Sequence, residues 1–124
     1  MTPVLVLPET VVRDNGQSDD LALESKQGKP LMLTLGITRV LERETLEVTI
    51  LGSRDRATWQ QLSAFPKKSY CGTYSLLIDL STQPDVRYVR VQWKMDRWDN
   101  RTQKPVFAFY VSVEQLRTRV AGAA

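Results

Sequence analysis

The sequence predicts an all-β protein: an antiparallel β-sandwich of about eight strands in jelly-roll or Greek-key order. Three observations carry that reading. Apolar and polar residues alternate over several short runs, the period of a strand with one buried face. Turn-forming residues punctuate those runs, and no long stretch repeats with helical period. The 124 residues, 42% hydrophobic and 25% charged, suit one domain over 1–124, with 1–8 as a candidate N-terminal arm and 115–124 as a fraying tail.

Val4, Leu5, Val6 and Leu7 lie between Pro3 and Pro8. Proline brings no N–H to a ladder, so this segment predicts an edge strand or an arm. Thr10 to Arg13 reads as another short strand, and Asp14-Asn15-Gly16 as a turn whose Asn and Gly tolerate positive φ. A polar loop leads to a return strand at Leu21 and Leu23. Beyond Gly28 and Pro30, Leu31, Leu33, Leu35 and Ile37 alternate with Met32, Thr34, Gly36 and Thr38, a long strand with one apolar face.

The stretch from Thr45 to Phe65 reads as the central hairpin. Leu46, Val48 and Ile50 alternate with Glu47 and Thr49; Gly52, Ser53 and Asp55 supply the turn, and Trp59, Leu62 and Phe65 resume the apolar pattern. Tyr74, Leu76, Ile78 and Leu80 mark the next strand, with a turn from Ser81 to Asp85. Val89, Val91, Trp93 and Met95 then oppose Arg90, Gln92 and Lys94, and Phe107, Phe109, Val111 and Val113 form the last strand. Two helical exceptions are expected: Val113, Leu116 and Val120 share a helical face, and a short turn fits Trp59 to Leu62.

The run Ser53-Arg54-Asp55-Arg56-Ala57-Thr58-Trp59 resembles the Ser-x-Asp-Gly-x-x-Trp hairpin of discoidin-type and other galactose-binding-like β-sandwich domains. In those domains the Ser and Asp order the turn and the Trp packs across it. The resemblance spans one hairpin and departs at Arg56, where they usually carry Gly. It implies a jelly roll of the kind found in carbohydrate-binding modules and in phage or virion accessory proteins, and it carries over no ligand site.

There is no histidine. That removes imidazole acid–base chemistry, Ser-His and Cys-His nucleophiles and His ligands for zinc. Cys71 is alone, which excludes an intrachain disulfide and predicts a buried thiol. The acidic pairs Asp19/Asp20, Glu42/Glu44 and Asp96/Asp99 read as loop carboxylates rather than a glycosidase pair. The expectation is a protein that is not an enzyme and holds no cofactor. Calcium is the one ion the loops would suit, through Asp14, Asn15, Asp19 and Asp20.

Two recognition surfaces are expected. One is the loop Asp96, Arg97, Trp98, Asp99, Asn100 and Arg101, whose aromatic among Asp, Asn and Arg suits a sugar face and its hydroxyls. The other is a protein interface built from Val4, Leu5, Val6 and Leu7 with Tyr70 and Tyr110. The net charge of +3 is too mild and too evenly mixed for a nucleic-acid field, despite Arg97, Arg101, Lys104, Lys67 and Lys68. No apolar run approaches the roughly 20 residues of a membrane span, and Met1 to Glu9 lacks the basic region of a secretory signal. The default is a cytoplasmic or particle-associated protein. The expected role is that of a non-catalytic, self-associating subunit or accessory protein of a larger, phage-like assembly, with a carbohydrate-binding module as the alternative.

Overall fold

The alternating runs form strands with their apolar rows turned inward, in a computed structural model that describes residues 4–24, 27–40, 44–68, 70–97 and 107–115. In chain order the strands are β1 (Val4–Val12), β2 (Gly16–Gln17), β3 (Leu21–Ala22), β4 (Pro30–Val40), β5 (Glu44–Ser53), β6 (Gln60–Ala64), β7 (Gly72–Asp79), β8 (Tyr88–Arg97) and β9 (Phe107–Gln115). They make two antiparallel sheets, β1-β9-β4-β7 and β2-β8-β5-β6, with β3 also on β8. β2 and β3 act as the two halves of one interrupted strand. Counted so, the chain crosses between sheets at every connection except the β5–β6 hairpin, which is jelly-roll order.

Alternation places the core. Leu31, Leu33, Leu35 and Ile37 of β4 face Leu46, Val48 and Ile50 of β5 across the interior, and all are almost wholly buried. Trp93 of β8 meets Phe109 of β9 edge-on, with ring centroids 5.7 Å apart at 77°. The indole N–H of Trp93 donates to the Asp14 carbonyl at 2.9 Å, so the largest core side chain buries no unpaired polar atom. Gly16 lies under this ring: a Cβ there would stand 2.8 Å from Trp93 Cζ2.

β2 is too short to pair all of β8, and side chains at both of its ends take up donors it leaves. Ser18 Oγ accepts from Val91 N at 2.9 Å, and Asn15 Oδ1 accepts from Met95 N at 2.8 Å. The loop that sequence pattern reads as a turn with calcium-type oxygens therefore uses Asn15 to finish a sheet edge.

Several elements differ from expectation. Val4–Leu7 and the segment after Thr10 are one edge strand, continuous through Pro8, with register shifts at Leu5/Leu7 and Leu7/Thr10 that absorb the proline. The edge-strand alternative thus holds for Val4–Leu7: Val4 pairs with Val113, Leu5 with Ser112 and Leu7 with Val111. Neither helical exception appears within the described residues. Gln60–Ala64 is β6, because it pairs back onto Thr49–Gly52. Val113–Gln115 completes β9, where Val113 is held between Val4 and Leu33; Leu116 to Val120 lie outside the described residues. A 3-10 turn forms instead at Leu80–Thr82, where the Asp79 carboxylate accepts from Ser81 N at 3.0 Å. Cys71 is exposed rather than buried, because it precedes β7 outside the alternating row. No helix among the described residues is long and apolar enough to cross a membrane.

Because Trp93 is wedged between Phe109 and Gly16, Gly16→Ala is expected to cost about 1–3 kcal/mol by overpacking. Urea denaturation should show a lower midpoint with an unchanged slope; an unchanged midpoint would mean that the indole retracts freely.

Candidate functional site

The Ser53–Trp59 turn is built by side chains that replace main-chain partners. Ser53, 3% exposed, accepts at its Oγ from Asp55 N at 3.2 Å and Arg56 N at 2.9 Å, and donates to Asp55 Oδ1 at 3.1 Å. Asp55 Oδ1 in turn accepts from Ala57 N and Thr58 N, both at 2.9 Å. The N–H groups of Thr58 and Ala57, with the Ser53 hydroxyl adding to them, hold the Asp55 carboxyl below its ordinary value. Arg56 occupies the slot where the resembling hairpins carry Gly, and it does so at φ 65°, a left-handed conformation that costs a residue with a Cβ roughly 1–2 kcal/mol.

Arginine at that slot makes contacts that glycine could not. The Arg56 guanidinium stacks over Tyr88 at 4.3 Å and stands 3.8 Å from Asp20. Trp59 Nε1 donates to the Arg56 carbonyl at 3.2 Å, and its ring carries the Arg90 guanidinium at 4.0 Å. Arg90 Nε is buried without a hydrogen-bond partner, so the Trp59 face is what the structure sets against that cation. Beside this stack Arg54, Asp55, Asp85 and Arg87 line a shallow cleft of about 300 Å³. Two positive and two negative groups cancel there. The side chains lining that cleft accordingly carry no net charge.

The other feature is the outer face of the β1-β9-β4-β7 sheet. Residues directly opposite in a ladder point to the same side. Leu77 pairs with Met32, Leu5 with Ser112 and Val11 with Ala108, each beside buried inward neighbours, so all three side chains point outward. Leu5 is 50%, Val11 57% and Leu77 56% exposed. Thr34, Gly36, Thr73, Ser75, Tyr110 and Ser112 fill the face between them. Tyr110 lies flat over Gly36, where no Cβ could fit beneath the ring. Asp79 and Glu114 stand at one end and Arg39 at the other. The opposite sheet differs: Glu47, Lys94 and Gln92 bound a polar groove of about 260 Å³ on its outer face.

The structure distributes the expected residues unevenly. Leu5 points outward, whereas Val6 and Leu7 are buried and Val4 packs partly against the core. Tyr110 belongs to the uncharged face. Tyr70, 76% exposed, precedes β7 and accepts at its carbonyl from the Tyr74 hydroxyl at 2.9 Å. Asp96 and Arg97 end β8 opposite Thr45 and Glu44; Trp98, Asp99, Asn100 and Arg101 lie outside the described residues. Among the described residues no three Asp, Glu, Cys or His side chains converge as a metal would require. Leu77 and Val11 were missed by pattern, though a signal exists. Leu76-Leu77-Ile78 and Val11-Val12 are consecutive apolar residues, and in a strand one of each pair must face out.

No family model matches this chain, and no curated relative is found for it.

Removing the Ser53 hydroxyl strips two main-chain donors of their acceptor, so Ser53→Ala is expected to destabilise the protein by about 1–3 kcal/mol in chemical denaturation. The depressed Asp55 carboxyl contributes stability that is complete above its unfolded pKa, about 3.9, and that is lost as pH falls through the lower folded value. Melting temperatures of wild type and Asp55→Asn should thus differ near neutral pH and converge in acid. Parallel curves would exclude the charged turn as the source.

Proposed function

We propose that this protein is a non-catalytic structural or interaction protein, a self-associating subunit or accessory component of a larger assembly. The observation that carries the reading is the outer face of the β1-β9-β4-β7 sheet, uncharged except at its ends. Three of the four large apolar side chains exposed by half or more among the described residues, Leu5, Val11 and Leu77, lie on it. Water gains by losing such a face, and burying it returns roughly 25 cal/mol for each Å² of apolar surface. The middle of this face carries no charge, with Asp79 and Glu114 at one end and Arg39 at the other, so an antiparallel copy would bring opposite charges together. The sequence supports the same reading from the other side, since a chain without histidine lacks the commonest acid–base group of catalysis.

Light scattering at two protein concentrations in physiological salt tests this. More than one chain per particle is expected, with mass rising or constant as concentration increases. A strict monomer at both concentrations, stabilised on heating by a glycan instead, would replace the assembly reading with a ligand-binding one.

A further inference from the structure

Each sheet has two edges, and three of the four are blunted. β1 carries Pro8, Glu9 and two register shifts. β2 and β3 are two residues each; Ser18 takes a β8 donor at their break and Asn15 takes one beyond the start of β2. β6 is five residues long with a shift opposite Ile50/Leu51. Prolines, charges, bulges and shortness are the devices by which sheets avoid pairing with other chains.

β7 has none of them between Thr73 and Ile78. It pairs with β4 without a shift from Pro30↔Asp79 to Ile37↔Gly72, and among the described residues nothing pairs with its other side. Thr73 to Ile78 is uncharged and without proline, a composition that favours strand addition. Tyr74 and Leu76, on the inward side, stay only partly buried, and Leu77 is 56% exposed on the outward side. An added strand would cover both sides at once.

We infer that the free edge of β7 pairs antiparallel with β7 of a second copy of this chain, joining two four-stranded sheets into one across a two-fold axis. The second copy is the occupant the charges fit. Asp79 is the only charged residue of β7, and antiparallel pairing sends the two Asp79 side chains to opposite ends of the joint, whereas parallel pairing would set them side by side. The pairing also makes the two uncharged outer faces continuous, giving the wider assembly one surface. It rests on the self-association proposed above and names the contact.

Sedimentation velocity of wild type, Ser75→Lys/Leu77→Lys and Val11→Lys between roughly 1 and 100 µM tests it. The expected result is a dimer for wild type and Val11→Lys, and a folded monomer for the double lysine variant. A dimer that survives the two lysines, or one lost equally in Val11→Lys, would overturn edge pairing while leaving self-association in place. A wild-type monomer throughout would overturn both. Should the double variant fail to fold, single cysteines settle the point: Thr73→Cys, Ser75→Cys and Leu77→Cys, each with Cys71→Ser. In an antiparallel two-fold pair, opposed residues stand about 4.5–5.5 Å apart at Cα, within disulfide reach. Oxidation should then link the position nearest the axis in preference to the others. Linkage at none of the three singly nor between mixed Thr73→Cys/Ser75→Cys or Ser75→Cys/Leu77→Cys pairs, or equal linkage at all, would sink the inference.

Discussion

The edge-on contact of Trp93 with Phe109 is the joint on which the two sheets depend. Each sheet carries one apolar face that water disfavours, and the faces close on one another only if the bulkiest pair finds room. Room is made by Gly16 beneath the indole, and the polar atom of that indole is satisfied by the Asp14 carbonyl. The same short segment thus supplies a space, an acceptor and, through Asn15 and Ser18, the missing partners of β8. Its polar composition reads as a solvated loop. Its role is to let a large core residue and a broken edge strand coexist.

The Ser53–Trp59 turn applies a similar economy at the other end of β5. Two short side chains, Ser53 and Asp55, satisfy four main-chain N–H groups that a reversing backbone would otherwise leave to water. This accounts for the likeness to galactose-binding-like hairpins as shared turn chemistry. Arg at position 56 is compatible with the turn. Its backbone is left-handed, and its side chain reaches Tyr88 and Asp20, tying the turn to β8 and to the loop before β3. Contacts of that kind offset a strain of the size expected for a non-glycine residue there.

The two sandwich faces divide the surface chemistry between them. One outer face bears Glu47, Lys94, Arg90 and the stacked aromatics, with the Arg90 guanidinium set over Trp59. The other is uncharged except at its ends, includes a tyrosine laid over a glycine, and borders the one strand edge that lacks blunting among those described. Solvent penalises such an arrangement in an isolated chain, and the proposal of assembly follows from that penalty rather than from any likeness to another protein.

Period-2 alternation is a local property. Runs such as Leu31 to Ile37, Leu46 to Ile50 and Val89 to Met95 were therefore enough by themselves to determine the fold class, most strand positions and the inward rows. Likewise the absence of histidine narrowed the chemistry before any fold was known. Which strands pair, which sheet faces water without charge, and which edge is left open depend on residues far apart in the chain, so only the tertiary structure decided them. Cys71 and Gln60–Ala64 show why: exposure and strand formation there are set by neighbouring elements, and a preference read along the chain cannot anticipate a partner lying across it.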